Sequence, residues 1–386
     1  MARARRRGIQ VALALLLAVV AVATAVAIDR RISEARYRDA ADQLLLVMTL
    51  RRDALEAYLD TVRAELTFWS RSPALREEMR QLREAWAAIP GDPTRRLQDD
   101  YIRKNPFPPE ARWELDGVDD GSAYAAAHRA IHGLAREFVS ERGYYDLFLI
   151  DPEGNVVYTV DKEDDFARSL RGPALAATGL AEVFRRAASS GAEAGPGAGI
   201  AFSDLARYGP SGDAPALFGA APIVDEAGRL LGVFALQVPI ERIQETMQFS
   251  EGMGRTGETY LVGRDHVMRS DSRFGAEPTT LDTRVETEAV RRALEGESGV
   301  ALTSDFRGVE VLSAYAPFAM DGIDWAVIAE IDEEEVYEAV VDLRLSVPLL
   351  GFALYALAVL TLWILDPSGW VARDLEDLDV GEMPAP

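Results

Sequence analysis

Asp146-Leu147-Phe148-Leu149-Ile150 runs into Asp151-Pro152-Glu153-Gly154-Asn155 and then Val156-Val157-Tyr158-Thr159-Val160. Two runs rich in β-branched and aromatic residues around a Pro/Gly turn make an antiparallel hairpin. Beyond it the pattern predicts a helix over Pro173–Ser189 and strands over Ile200–Val224 and Leu230–Val238, with a turn at Asp225-Glu226-Ala227-Gly228. The same order then recurs. Gly257–Arg269 reads as strand, turn, strand; Glu286–Glu295 reads as a helix stopped by Gly296; Val300–Phe306, Val309–Ala316 and Trp325–Ile331 read as strands. Ala221-Pro222 precedes Gly232–Leu236 as Ala316-Pro317 precedes Trp325–Ala329. Helices set against hairpin-connected sheets make an α+β fold, here as two copies of one unit.

Upstream, Asp29 to about Ile89 contains no glycine and one proline, Pro73. Apolar residues at Leu55, Leu59, Val62, Leu66 and Trp69 recur every three or four positions, the period of one long helix. Such a stripe suits a parallel homodimer with its contact along Arg30–Trp69. Pro90–Pro109 reads as loop, and Gly121–Arg142 as a helix with Ser122 as N-cap and Gly143 as stop.

Gly8–Ile28 and Leu345–Leu365 are each 21 residues long and uncharged. At about 1.5 Å per residue each would make a helix about 31 Å long, matching a hydrocarbon core of about 30 Å. The competing reading of the first run is a cleaved signal peptide ending at Ala25-Val26-Ala27. Arg3, Arg5, Arg6 and Arg7 place the N-terminus in the cytoplasm, and two spans then return the C-terminus there. The tail fits the positive-inside rule poorly, since Asp366–Pro386 carries six acids against Arg373. The expected layout is a cytoplasmic start (1–7), a first span (8–28), a long helix (29–89), two modules (90–245 and 246–344), a second span (345–365) and a short tail (366–386).

The chain holds 41 Lys and Arg against 63 Asp and Glu, a net charge of −22, and most of the excess falls between the two apolar runs. A surface that acidic repels a phosphate backbone, which excludes nucleic acid as a partner. The absence of cysteine excludes disulfide scaffolds, thiolate metal sites and a cysteine nucleophile.

The arrangement resembles the double Cache domain, the extracytoplasmic sensor of bacterial chemoreceptors, histidine kinases and membrane cyclases. Tyr144–Asp151 with Val156–Val160 looks like the first hairpin of its membrane-distal module, and Phe202–Ser211 like that module's pocket-side strand and loop. Thr256–Val262, continuing to Arg269–Phe274, looks like the signature of the membrane-proximal module, and Trp325–Asp332 like its closing strand. The resemblance covers roughly Arg30 to Tyr337. It implies a long N-terminal helix and two tandem PAS-like antiparallel-sheet modules between two transmembrane helices of a bacterial inner membrane, with the main domain periplasmic. It also implies a sensor of a small molecule. Such receptors continue into a HAMP segment and an output region, whereas 21 residues follow Leu365 here. The expectation is therefore a relay to a separate cytoplasmic transmitter. The alternatives are a truncated chemoreceptor-type receptor and a non-sensing periplasmic scaffold.

Within the resemblance the ligand candidates are Tyr158, Asp161, Asp204, Arg207 and Tyr208, since the distal module is the family's usual small-molecule site. A carboxylate with phenols suits a cationic or hydroxylated ligand, and Arg207 would supply the counter-charge for an anionic one. His128 and His132, at i and i+4, could share a metal, but Arg129 stands where an HExxH helix has Glu, so packing is the favoured reading. Asp161–Asp165 lacks the ligand spacing of a calcium loop and reads as a solvated turn. Arg269–Arg273 could grip an anion, or else form an ion-pair network around Asp271. No nucleophile–base pair or phosphate loop survives inspection, and Gly195–Gly199 lacks the Lys that would follow one. The sequence therefore predicts no enzyme, no cofactor and no metal.

Overall fold

The computed structural model describes residues 2–190, 199–249, 251–338, 351–353, 355–357 and 359–361, with the side chains of 2–8, 10, 11 and 14 left aside. Most of the expected span 345–365, the tail 366–386 and most of the Gly191–Gly199 loop lie outside the described residues. The first apolar run lies within a continuous helix, α1 (Ala2–Ser70). Among the described residues no helix is long and apolar enough to cross a membrane, so the two expected spans find no support there.

Gln43–Ile331 forms one compact unit, separate from a second unit made of the chain's two ends. The helix expected over 29–89 is two helices. Pro73 has no N–H to donate and disfavours helical geometry at the residue before it, and Ser72 is extended at φ −62°, ψ 127°. Pro73 then starts α2 (Pro73–Ala87) at its first turn, where a missing donor costs nothing. Leu55, Leu59, Val62 and Leu66 are buried within their own unit, so this stripe is core and not a surface for a second copy.

The expected loop over 90–109 contains α3 (Pro93–Gln98), capped by Asp92 accepting from the Arg95 N–H, followed by a wide turn over Asp99–Arg103. α4 (Ala123–Arg142) starts and stops as its caps predict. Ser122 accepts from the Ala125 N–H at 3.1 Å, and Gly143 ends the helix at φ 71°, a conformation that favours glycine.

The first sheet holds β1 (Asp146–Ile150), β2 (Val156–Thr159), β3 (Ala201–Phe202), β4 (Ala206–Tyr208), β5 (Ala214–Val224) and β6 (Leu230–Val238). Its order is β2-β1-β6-β5-β3, with β4 on β5, and every pairing is antiparallel. α5 (Gly179–Ser189) is shorter than expected because Thr178 caps it. It packs Leu180, Val183 and Phe184 on Phe148, Ile150, Phe218 and Val233. The other face meets the helices: Leu66 closes on Gly219 and Met79 on Gly232.

α6 (Ile240–Gln248) leads to the second sheet, of β7 (Glu258–Gly263), β8 (Gly299–Ser304), β9 (Glu310–Met320) and β10 (Ile323–Asp332), in the order β7-β10-β9-β8. α7 (Glu288–Leu294) covers it through Ala289, Val290 and Ala293. The return strand expected near Arg269 is reduced to single bridges, Val262 with Met268 and Val267 with Arg284.

Candidate functional site

β1 opens with Asp146, on the same face as Phe148 and Ile150 and opposite Gln237 of β6. Its carboxylate is buried and collects the end of the hairpin. Oδ1 accepts from the N–H groups of Leu147, Val160 and Asp161, at 2.6, 2.9 and 3.1 Å, and Oδ2 accepts from the Thr159 hydroxyl at 2.7 Å. The chain then turns through Lys162, whose φ of 56° is uncommon for a residue with a side chain.

Lys162 is fully buried, its Nζ 3.2 Å from the Val160 carbonyl and 3.2 Å from Nε2 of His132. Among the described residues no carboxylate lies within ion-pair distance of it. Burial pulls its ammonium down to about 7, against the opposing pull of Asp146 and Asp161. The acids of this corner move the other way. Burial, with Asp161 and Asp165 nearby, pushes Asp146 well up. Burial and Glu163 push Asp161 up to about 6, and burial pushes Asp165 up to about 7.

Polar contacts tie the corner together. Tyr208 donates to Asp165 Oδ2 at 2.6 Å, Tyr145 to Glu163 at 2.8 Å, Ser211 to Glu163 at 2.6 Å, and Gln237 to Ser211 at 3.3 Å. Two buried acceptors nevertheless stay without a partner: Asp165 Oδ1 and Gln237 Oε1. A buried acceptor left empty costs about 1–3 kcal/mol. The acidic run read from sequence as a solvated turn is therefore the centre of a buried polar cluster. The solvated reading fails because Tyr208 and Ser211, more than forty residues downstream, close over it.

Tyr158 borders the cluster through His132. His132 Nε2 lies 2.8 Å from the Trp113 carbonyl, which can only accept, so Nε2 carries the hydrogen and Nδ1 accepts from the Tyr158 hydroxyl at 2.8 Å. Burial and then Lys162 hold this imidazole neutral, its pKa pulled down to about 4. His128 donates from Nδ1 to the Asp116 carbonyl at 2.8 Å. Its ring centroid lies 4.7 Å from those of both His132 and Tyr101. The pair thus packs as an aromatic stack. Among the described residues no group of three or more His, Cys, Asp or Glu is arranged to hold a metal ion.

Of the five sequence candidates, Tyr158, Asp161 and Tyr208 gather here, and the other two do not. Asp204 turns to the second sheet, its Oδ1 accepting from Arg269 Nε at 3.0 Å and from the Trp325 indole at 2.7 Å, its Oδ2 from Arg269 Nη2 at 2.7 Å. Arg207 is exposed and pairs with Asp282 at 2.7 Å. Asp271 is no ion-pair hub, since its Oδ1 accepts from Thr279 and Thr280. Arg269 instead pairs with Asp204 and Asp265. Lys162, Asp146, Asp165 and Gln237 were missed by sequence reasoning. The available signal was the strand position of Asp146: a charge at the head of a fully apolar run is buried, and buried charges need partners.

A family profile described as the Cache domain matches residues 32–340. No functionally curated protein matches the sequence. Among solved structures, the extracellular domain of the putative histidine kinase vpHK1S-Z8 is similar at 12% identity and a TM-score of 0.45, over 80% of this chain and 95% of that one. The periplasmic sensory domain of the Campylobacter jejuni chemoreceptor Tlp1 is similar at 13% identity and a TM-score of 0.39, over 72% and 96%. The ligand-binding domain of the Pseudomonas fluorescens chemoreceptor CtaA, solved with L-leucine, is similar at 13% identity and a TM-score of 0.35, over 74% and 98%.

Proposed function

The chain belongs to the Cache domain family, and from that premise we propose that it is an extracytoplasmic sensor whose small-molecule ligand binds at the corner of the first sheet around Lys162. One observation carries the reading: Asp165 Oδ1 and Gln237 Oε1 are buried acceptors with no donor, beside acids that outnumber the single lysine. A ligand offering an ammonium or hydroxyl group fills them, with Tyr208 and Tyr145 as phenolic walls. Lys162, short of hydrogen-bond acceptors, suits a carbonyl or carboxylate on the same ligand. The contribution is binding rather than turnover.

Anchoring to a bacterial inner membrane is part of the proposal. Ile9, Leu15, Val19 and Val22 of α1 are each about three-fifths exposed, and apolar side chains in a row at that exposure call for lipid. The sensing unit then lies on the periplasmic side.

The test is a thermal-shift screen of the full chain in detergent against amines, amino acids, polyols and organic acids. A ligand at 100 times its Kd adds about 2.7 kcal/mol of stability. Its shift should fall at least tenfold in apparent affinity in Asp165→Asn. No hit across the library, or hits indifferent to Asp165→Asn and Lys162→Met, would overturn the site.

A further inference from the structure

In the second sheet Glu258 and Glu330 are register partners across the β7–β10 ladder. Residues directly opposite on an antiparallel pair have Cβ atoms about 4.5–5.5 Å apart, within reach of a carboxyl–carboxyl hydrogen bond. Both side chains are buried, at 2% and 1% exposure, and each keeps an oxygen without a partner, Oε1 of Glu258 and Oε1 of Glu330. Like charges opposite each other in a sheet repel, and burial multiplies the cost.

The other oxygens divide unequally. Glu258 Oε2 accepts from the Ser272 hydroxyl at 2.6 Å and from the Arg273 N–H at 3.1 Å. Among the described residues Glu330 Oε2 accepts from the Tyr260 hydroxyl alone, at 3.2 Å. Facing the pair from the β8–β9 turn are Asp305 and Arg307, which hold each other at 2.6 Å. Among the described residues three carboxylates thus stand against one guanidinium, while the Arg273 guanidinium is turned to the Gly254 and Gly257 carbonyls.

We propose that Glu258 and Glu330 share one proton, carried on Glu330 and donated to Glu258, and that this proton is a clasp fastening edge strand β7 to β10. Two donors favour the ionised form at Glu258, and one weak donor leaves Glu330 as the acid. The two orphaned oxygens then satisfy each other. Burial and the neighbouring carboxylates Glu258 and Asp305 favour the protonated form of Glu330, against the pull of Arg307. Among the described residues β7 has no other strand partner, only the bridge of Val262 to Met268 and the bonds that flank it, so loss of the proton at alkaline pH loosens the β7–β10 ladder. β10 ends at Asp332, two residues past Glu330, which makes the clasp a pH-sensitive fastening of the end of that strand.

The test uses the full chain in detergent between pH 5 and pH 9. Glu330→Gln keeps a donor toward Glu258 but cannot ionise, so its melting temperature should match wild type at pH 5 and exceed it by at least about 3 °C at pH 9. A difference that does not change with pH overturns the proposal. Should Glu330→Gln fail to fold, hydrogen exchange of wild type decides. After correction for base catalysis, Tyr260–Gly263 should lose about tenfold in protection from pH 7 to pH 9 while the β8–β9 ladder keeps its own. Equal behaviour of the two ladders overturns it.

Discussion

Lys162 brings one ammonium into a corner that already holds Asp146, Asp161, Glu163 and Asp165, and the charges are balanced by proton position more than by ion pairing. The pH dependence follows from the shifts. Asp165 is raised from an ordinary 3.8 to about 7, so its contribution to stability is complete below pH 4 and is lost as pH climbs to about 7. Lys162 is lowered from 10.5 to about 7, so its contribution is complete above pH 10 and is lost as pH falls through 7. Both place the weakest point near neutrality. Asp165→Asn should gain on wild type by a few kcal/mol between pH 4 and pH 7, and Lys162→Met should lose ground to it between pH 7 and pH 10. Denaturant melts at four pH values measure both, and parallel curves for variant and wild type would remove the buried-charge account.

The elements with local causes were legible in the sequence. Ser122 and Gly143 bound α4 as capping chemistry requires, and the Asp151–Asn155 turn closes β1 on β2. What failed was long-range. The stripe Leu55–Leu66 has the helical period of a dimer seam and of a core face alike, and period alone cannot say which surface covers it. Asp204 looked like a pocket residue because its partners Arg269 and Trp325 lie 65 and 121 positions further along. The opposite face of α1 is the one left open, with Leu46, Leu50 and Phe68 at 60%, 57% and 68% exposure and Ala54, Ala57, Thr61 and Ala64 exposed between them. Small residues flanked by large apolar ones allow close approach of a second helix, so this is the face on which a homodimer is to be tested. In this cysteine-free chain, single cysteines from position 46 to 68 should crosslink in membranes with a period of three to four, peaking at Leu50, Ala57 and Ala64. Crosslinking centred on Leu55, Leu59 and Val62, or none at any position, would count against that face.

At the scale of the whole compact unit, the segment Phe202–Tyr208 touches both sheets. Tyr208 reaches the Lys162 corner through Asp165, and Asp204 grips Arg269 and the Trp325 indole. Arg269 is 3% exposed and lies flat on β7 because Gly263 has no side chain: a Cβ there would stand 2.4 Å from the guanidinium. Phe202 adds a backbone bond to Asp321 at 3.1 Å, and Arg186 bridges the Phe202 and Asp321 carbonyls at 2.7 and 2.6 Å. Losing Asp204 leaves Arg269 still paired with Asp265 at 3.0 Å but strips the buried Trp325 indole of its acceptor, a cost of about 1–3 kcal/mol. The exposed pair of Arg207 with Asp282 is worth under about 1 kcal/mol. Calorimetry of wild type should therefore show residues 43–331 melting in one transition, with Arg207→Ala nearly unchanged. Asp204→Ala should lower stability by about 2 kcal/mol and split the transition, because the second sheet no longer melts with the first. Gly263→Ala should reproduce the split without touching a charged residue, by pushing Arg269 off the strand. If both variants melt as one sharp transition within about 0.5 kcal/mol of wild type, the two sheets are held together elsewhere than at Asp204.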